Sequence, residues 1–304
     1  MRAEQQPAIR VDVDFRVGMQ KAVPYMANLL ARNEMRATFF LVTGWSPGRS
    51  WLRKLARPAV LRRWLRIGAW RLAGRADVWG ELFRRSETAD YEALLGSTVA
   101  LLDSLGHEVA LHGFDHEWWV DEVWRATPTR LTEEMDRAYD AARAATGRDD
   151  FAWGSPGWRT CDSVMRDLAK RGVPYLAECW GRGPFRTRLD DGACLTIPHH
   201  PITVRSSESM AGRSDTDVAT SIAESCVAHS RSVCCLHDYY EGLLRPGLLE
   251  ALVDALRGRG LHSLTLAEAS RNREGDLPSF PACRVGRRRV PGFVGEVSVQ
   301  EGER

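Results

Sequence analysis

Residues 9–15 read IRVDVDF, a short apolar run that ends with Asp12 and Asp14. Its branched apolar residues predict a β-strand over residues 9–13. Two carboxylates at the end of a buried strand need charged partners or a cation, because an unpaired charge is costly to bury. The alternative is a pair of structural aspartates, one capping a helix and the other in a salt bridge.

Similar short runs recur along the chain and alternate with longer segments of helical period. They predict strands over residues 37–42, 108–111, 151–154, 174–179, 193–197, 232–236 and 263–266. Helices are predicted over residues 88–105, 128–147, 161–171, 216–229 and 246–258. The alternation is typical of βα units, and a single α/β barrel of roughly 250 residues fits this chain. Beyond residue 271 the periodicity is lost, so we expect a tail there.

The composition indicates a globular protein with a sizeable core. Apolar residues make up 44% of the 304-residue chain, which excludes a disordered or fibrous protein. The seven cysteines lack CxxC spacing, so neither a disulfide framework nor a zinc knuckle is indicated. The N-terminus has no apolar signal-peptide core, and no apolar run reaches about 18 residues. We therefore expect a cytoplasmic protein without a transmembrane helix.

Unusual polar residues occur where several of the predicted strands end. They are Asp12, Asp14, His112, the turn at residues 155–157, Glu178 and His237. In a barrel of parallel strands these ends share one face, which is where active sites are built. We therefore expect separate segments of the chain to converge on one site.

The segment GHEVALHGFDHE at residues 106–117 places His112 at a strand end and His116 four residues later. This spacing brings two imidazoles together if the chain enters a helical turn, although such pairs also occur at surfaces and caps. Two histidines and one carboxylate leave coordination positions open, as in a zinc hydrolase or a non-haem iron oxygenase. A second carboxylate beside the metal favours hydrolysis, because it can take a proton from water.

A basic segment over residues 49–75 follows the second predicted strand. No acidic residue occurs between Glu34 and Asp77, whereas arginine is interleaved with tryptophan and leucine at roughly helical spacing. Pro58 interrupts the segment, so we expect two short helices that meet near it. Such helices are typical of proteins that lie on an anionic membrane surface. The alternatives are a basic cover packed on the barrel and a nucleic-acid contact; we favour the membrane and expect no nucleic-acid partner.

Taken together, the motifs resemble those of the NodB-type polysaccharide deacetylase family. In chain order they read VDVD, HGFDH, GSPGWR, AECWG and CCLHDYYEG. Within the family, the chain is most similar to the branch that deformylates a lipid-linked amino sugar. The resemblance implies a distorted (β/α) barrel of seven or eight strands over residues 8–268, with the basic insertion at 49–75 and a tail over 269–304. It also implies one divalent metal ion, with zinc as the first candidate and cobalt, manganese or nickel as alternatives.

The resemblance also implies roles for matched positions. Asp12 corresponds to the general base and His237 to the general acid. The residues that correspond to metal ligands are Asp14, His112 and His116. The family usually has two adjacent aspartates, whereas Val13 separates them here. The roles of Asp12 and Asp14 are therefore taken from the branch of the family that also has the sequence Asp-Val-Asp.

Further positions correspond to residues that surround the catalytic groups. Arg159 would orient Asp12, because Gly154 stands where the family usually has an arginine. The residues expected to contact substrate are Trp158, Glu178 and Glu241; the alternatives are that Glu178 supports a catalytic side chain and that Trp158 belongs to the core or the rim of the site.

The implied reaction is hydrolysis of the N-formyl or N-acetyl amide of an amino sugar. The sugar would be carried on polyprenyl phosphate at the cytoplasmic face of the membrane, as in lipopolysaccharide biosynthesis. The alternatives are a soluble deacetylase of a free or nucleotide-linked amino sugar and an oligosaccharide deacetylase. A metal-binding module without catalysis is disfavoured, since Asp12 and His237 are both present.

Overall fold

The computed structural model describes residues 6–44, 58–73, 88–204, 206–271, 280–291 and 293–302. Its centre is a parallel sheet of five strands. These are β1 (Ala8–Val13), β2 (Thr38–Leu41), β3 (Glu108–Leu111), β4 (Ala152–Trp153) and, later in the chain, β7 (Val233–His237). Their order is β4-β3-β2-β1-β7, so β1 has a parallel neighbour on each side. Together with the helices, this sheet confirms the predicted α/β class.

α-Helices alternate with these strands along the chain. They are α1 (Val23–Arg32), α2 (Pro58–Arg66), α3 (Trp70–Ala73), α4 (Thr88–Ser104), α5 (His116–Glu122), α6 (Pro128–Thr146), α7 (Asp162–Lys170), α8 (Asp215–Ala228), α9 (Pro246–Arg257) and α10 (Leu266–Arg271). The helices predicted over residues 128–147, 161–171, 216–229 and 246–258 are confirmed, because each observed end lies next to the predicted one.

Side chains along β1 alternate between two buried sides of the sheet. Ile9, Val11 and Val13 pack into the main hydrophobic core with the helices. Arg10 and Asp12 are also buried, on the inner side. A second apolar cluster fills that side and includes Phe40, Ala110, Trp158, Tyr175 and Cys235. Because both sides exclude water, the charges of Arg10 and Asp12 must be compensated within the protein.

The strand predicted over residues 174–179 takes part in the sheet through single bridges only. Leu176 bridges Trp153 on one side and His199 on the other. The Glu178 N–H then donates to the His199 ring at 3.1 Å instead of continuing the ladder. A side chain thus takes the hydrogen bond that a full strand would need.

The strand predicted over residues 263–266 is also reduced to one bridge, between Leu264 and Ala8. The next N–H, of Thr265, donates to the Glu268 carboxylate at 2.9 Å, and this contact begins α10. The helix start therefore ends the strand after a single pair.

The chain beyond residue 180 builds a second sheet, in which one strand, β6, corresponds to the strand predicted over residues 193–197. Its strands are β5 (Phe185–Arg188), β6 (Cys194–His199), β8 (Ala282–Arg288) and β9 (Val297–Glu301), in the order β6-β5-β8-β9. The expected tail thus contains two strands, because β8 pairs with the distant β5 and β9 pairs with β8. Ser298 of β9 accepts a hydrogen bond from the Thr160 N–H at 3.0 Å, so the second sheet supports the turn that follows β4.

The basic insertion contains two short described helices, α2 and α3. The first begins at Pro58, and the chain turns between them at Gly68, whose φ is +76°. The helix expected before Pro58 falls on residues 45–57, outside the described part of the chain. Trp64 packs against the main core, and Ile67 and Ala69 are buried in it. None of the helices that the structure describes is long and apolar enough to cross a bilayer.

Candidate active site

Three side chains of metal-ligand type meet where β1 and β3 end. Asp14 follows β1, His112 follows β3, and His116 is the first residue of α5. Asp14 Oδ1 lies 3.4 Å from His112 Nε2 and 3.5 Å from His116 Nε2. Asp115 accepts a hydrogen bond from the Trp118 N–H at 2.9 Å, which fixes the start of α5 and thereby the position of His116. The structure thus brings together the three predicted ligands.

The chemistry of this cluster fits a divalent cation. His112 Nδ1 lies 2.6 Å from the Gly154 carbonyl oxygen. Because a carbonyl only accepts, Nδ1 is the donor, and Nε2, the ring nitrogen that faces Asp14, is the one that could bind a cation. Asp14 Oδ1 is buried and receives no hydrogen bond from the described residues. Burial by itself raises the pKa of Asp14, but the imidazoles of His116 and His112 lower it below its ordinary value.

Asp12, the expected general base, is held by Arg10 of the same strand. Arg10 Nε and Nη2 lie 2.5 and 3.1 Å from the two carboxylate oxygens of Asp12, in a two-pronged ion pair. Arg10 Nη1 also donates to the Ala177 carbonyl oxygen. Asp12 Oδ2 lies 3.9 Å from His112 Nε2, so the held carboxylate borders the metal-ligand cluster. Asp12 therefore does form the salt bridge that was considered as an alternative to a metal site. The salt bridge and the metal-ligand cluster occur side by side.

The Arg10 guanidinium is stacked between two aromatic rings. Its Cζ lies 4.2 Å from the centroid of Phe40 and 4.0 Å from that of Trp158, both within cation–π range. A Cβ added at Gly154 would lie 2.6 Å from the Phe40 ring and 3.0 Å from Arg10 Nη1. The glycine at position 154 therefore leaves room for Arg10, which fills this space from β1.

Arg159, which was expected to orient Asp12, makes other contacts. Its Nη1 donates to the Val120 carbonyl oxygen, and its guanidinium lies 4.7 Å from the Trp124 ring centroid. The orienting contact comes from Arg10, which corrects the prediction made from the sequence. One feature of the sequence could have identified Arg10 as the partner of Asp12. Arg10 stands two residues before Asp12, so both side chains share one side of a buried strand where a carboxylate needs a cation.

His237, the expected general acid, ends β7 and is paired in register with Asp12 of β1. One of its ring nitrogens lies within 4.8 Å of an Asp12 carboxylate oxygen and of Cys235 Sγ. Its backbone N–H donates to Glu241 Oε2 at 2.8 Å, and Glu241 also accepts from Ser207. The His237 Nδ1 atom has no hydrogen-bond partner among the described residues. The backbone of His237 is therefore held by Glu241, whereas Nδ1 of its ring is not held by a hydrogen bond from the described residues.

The side chains expected to contact substrate lie beneath the site. Trp158 is 3% exposed, and Glu178 and Glu241 have no exposed area. Glu178 accepts hydrogen bonds from Ser155 Oγ at 2.5 Å and Thr160 Oγ1 at 3.0 Å, which joins the two ends of the turn that carries Trp158. Because all three side chains are buried, they contact neighbouring parts of the protein in this structure.

Asp238 is a buried carboxylate that the sequence prediction omitted. It accepts hydrogen bonds from the Phe15 N–H at 3.2 Å and the Tyr239 N–H at 2.7 Å. Burial, followed by the nearby charge of Asp14, raises the pKa of Asp238 well above its ordinary value. A Cβ at Gly18 would overlap the Asp238 carboxylate, so only glycine permits this close approach. Asp238 therefore ties the loop after β1 to the end of β7.

Replacing Glu178 by Gln is expected to flatten the pH dependence of stability. Burial raises the pKa of Glu178 from 4.5 to about 7, although hydrogen bonds from Ser155 and Thr160 favour the charged form. Between these pH values the folded protein binds more protons than the unfolded chain, so its free energy of unfolding falls as the pH rises. Glutamine does not titrate. The unfolding temperature of Glu178→Gln, measured relative to that of wild type, should therefore rise as the pH increases from about 4.5 to about 7.

Thermal unfolding of chelator-treated wild type, Glu178→Gln and Glu92→Gln measures this difference. Glu92 is exposed on α4 and serves as the matched control, whose offset from wild type should not change with pH. A constant offset for Glu178→Gln as well would show that the buried carboxyl group does not change protonation in this range.

Comparison with known proteins finds relatives along most of the chain. The family model described as polysaccharide deacetylase matches residues 4–176, more than half of the sequence. Two proteins that carry the name 4-deoxy-4-formamido-L-arabinose-phosphoundecaprenol deformylase ArnD are similar to it. The one from Shewanella sediminis is 25% identical over 89% of this chain and 87% of its own. The one from Wigglesworthia glossinidia brevipalpis is 21% identical over 94% of this chain and 99% of its own.

Solved structures share the fold at lower sequence identity. A Mycobacterium smegmatis protein classed as a polysaccharide deacetylase aligns with a TM-score of 0.60 and 12% identity, over 95% of this chain and 97% of its own. The Bc1960 peptidoglycan N-acetylglucosamine deacetylase aligns with a TM-score of 0.53 and 10% identity, over 88% of each chain. The segment matched by the family model includes Asp12, Asp14, His112 and His116. The chain belongs to the polysaccharide deacetylase family, a family of amide hydrolases.

Proposed function

We propose that this protein hydrolyses the N-acyl amide, formyl or acetyl, of an amino sugar that is carried on polyprenyl phosphate. The observation that carries the proposal is the convergence of a metal-ligand cluster, a buried carboxylate and a histidine. They are Asp14 with His112 and His116, Asp12, and His237. Amide hydrolysis needs this combination, because it requires both an activated water and a protonated leaving nitrogen.

Each of these side chains has a role that its surroundings fit. A divalent cation held by Asp14, His112 and His116 would supply Lewis acidity to the acyl carbonyl oxygen and acidify a water molecule. Asp12, oriented by its arginine, accepts the proton that the attacking water loses. His237 donates a proton to the amide nitrogen, which then leaves as a neutral amine.

Two observations support a lipid-linked substrate. The ArnD relatives are named for a sugar carried on phosphoundecaprenol, and the match covers 87% or more of their length. In addition, α2 and α3 present a solvent-exposed surface, which we call the α2–α3 face. It contains the apolar side chains of Leu61, Leu65 and Trp70 and the basic side chains of Arg62, Arg66 and Arg71. Such a mixture is typical of helices that lie on anionic lipid.

The reaction can be tested by mass spectrometry after metal analysis of the purified protein. N-formyl and N-acetyl amino sugars would be supplied free, linked to a nucleotide, and as short-chain prenyl phosphodiesters. We expect one divalent cation per chain and turnover that is fastest with a prenyl-linked substrate. Faster turnover of free or nucleotide-linked sugars would favour the soluble deacetylase instead. No turnover of any amide by the metal-loaded protein would contradict the proposed amide hydrolysis.

Changing the α2–α3 face is expected to abolish binding to anionic vesicles. Leu65 and Trp70 are 54% and 52% exposed, so the Leu65→Asp/Trp70→Asp variant loses apolar contact area without opening the core. Trp64 packs against the core and is left unchanged for that reason. Flotation with anionic and neutral vesicles at increasing salt measures the effect. The bound fraction of wild type should be higher on anionic lipid and should fall with salt.

Val227 offers a matched control, because it is 61% exposed on α8, a different element. Val227→Asp should float like wild type. Equal binding of the wild type and the Leu65→Asp/Trp70→Asp variant would locate any membrane contact elsewhere on the protein. Wild type that does not bind anionic vesicles would contradict the membrane proposal itself.

A further inference from the structure

The basic insertion reaches the catalytic centre through a single tyrosine. Arg63 of α2 donates from Nη2 to the Tyr239 hydroxyl oxygen at 3.1 Å. The Tyr239 ring lies 5.4 Å from the His237 ring and 5.7 Å from the Phe15 ring, measured between centroids. One side chain therefore separates a guanidinium group from the histidine that would protonate the leaving nitrogen.

The chemistry of this pair is that of a phosphate site. A guanidinium group offers several N–H donors in a planar fork that matches phosphate oxygens, and a phenol hydroxyl adds a further donor. Arg63 and Tyr239 are both half-buried, whereas the neighbouring Arg62 and Arg66 are exposed. The described part of the insertion, residues 58–73, contains four arginines and no carboxylate, so its own side chains carry only positive charge.

We propose that Arg63 and Tyr239 bind the phosphate group that links the sugar to its carrier. This inference rests on the proposed function, which places the acyl amide at Asp14 and the leaving nitrogen at His237. A phosphate on the same sugar ring would then be within reach of Tyr239, whose ring lies 5.4 Å from that of His237. The site would select sugar phosphates over free sugars, because only the former bring an anion to the guanidinium.

Steady-state kinetics with paired substrates tests this assignment. An N-formyl amino sugar would be compared with its 1-phosphate and with its short-chain prenyl phosphodiester, in wild type, Arg63→Ala, Arg63→Lys and Arg32→Ala, a control at an exposed arginine of α1. Arg63→Ala should raise KM for both phosphate-bearing substrates by about tenfold to a hundredfold and leave kcat nearly unchanged. It should not affect the phosphate-free sugar. Arg63→Lys should fall between wild type and Arg63→Ala, and Arg32→Ala should behave like wild type.

The pattern across the substrates decides the outcome. A similar loss on the phosphate-free sugar, or no loss on either phosphate-bearing substrate, would overturn the phosphate site and leave the amide hydrolysis intact. A difference in KM between the 1-phosphate and the prenyl phosphodiester in wild type would come from the lipid chain. The factor by which Arg63→Ala raises KM should be the same for both substrates.

Calorimetry separates this inference from the proposed function. If wild type hydrolyses none of the amides, the proposed function fails, and binding of the deacylated sugar 1-phosphate is measured instead. Tighter binding to wild type than to Arg63→Ala would still support the phosphate site. Equal binding to wild type and to Arg63→Ala would overturn it.

Discussion

Asp14→Asn is expected to remove the bound divalent cation and to lower kcat/KM by at least about 10³-fold. Asp14 Oδ1 faces the Nε2 atoms of His112 and His116 at 3.4 and 3.5 Å and is the only carboxylate oxygen of this described cluster. Asparagine keeps the shape of the side chain and removes its negative charge, so the two neutral imidazoles are left with a weak third ligand. Metal content by mass spectrometry and turnover of an N-formyl amino sugar measure the two effects.

The fold should survive this change, which makes the result interpretable. Asp14 lies beyond the end of β1, outside the ladder that pairs β1 with β2 and β7. Circular dichroism and the unfolding temperature of the chelator-treated proteins should therefore be close for wild type and variant. A variant that retains one cation per chain and normal turnover would show that Asp14 is not a ligand.

Asp12→Asn is expected to keep the metal and still lose turnover. A general base contributes roughly 10² to 10⁴ to the rate, so kcat should fall by about that factor while metal content stays near the wild-type value. This separates Asp12 from Asp14, whose replacement lowers both quantities. Loss of metal from Asp12→Asn would mean that the two aspartates share the cation, and unchanged kcat would remove Asp12 from catalysis.

Two arginine variants, Arg10→Lys and Arg159→Lys, test which arginine orients Asp12. Arg10→Lys keeps a positive charge but loses the two-pronged contact and the stacking between Phe40 and Trp158. Its kcat should fall by about tenfold to a hundredfold, the usual effect of removing a residue that supports a catalytic or metal-binding side chain. Arg159→Lys should have little effect. A larger loss of kcat in Arg159→Lys than in Arg10→Lys would show that Arg159 orients Asp12, as the sequence suggested.

The convergence of the site residues was largely predictable because they stand at strand ends. Asp12, Asp14, His112 and His237 come from three separate strands, and parallel pairing alone brings such ends to one face. The sequence motif could not separate the roles of the two aspartates. The contacts now support a division, since Asp12 pairs with Arg10 on the inner side of β1 and Asp14 faces the two imidazoles.

The parts that the sequence missed depend on contacts between distant segments. The pairing of β8 with β5 joins residues 282–284 to 186–188, and no local period reveals such a partner. Similarly, the packing of Arg10 against Trp158 depends on the space that Gly154 leaves open. Patterns of one segment predict its own conformation, whereas these features are set by what the fold places beside it.

The placement of Arg10 and Asp12 on one strand bears on how this enzyme could diverge. Both members of the pair lie within three consecutive residues, so they are inherited together and move as one rigid unit. An arginine supplied by the turn after β4 would instead be lost whenever that turn was exchanged. Loops that do not contact the pair can therefore change without separating Asp12 from its arginine, whereas the turn after β4 also packs against Arg10 through Trp158.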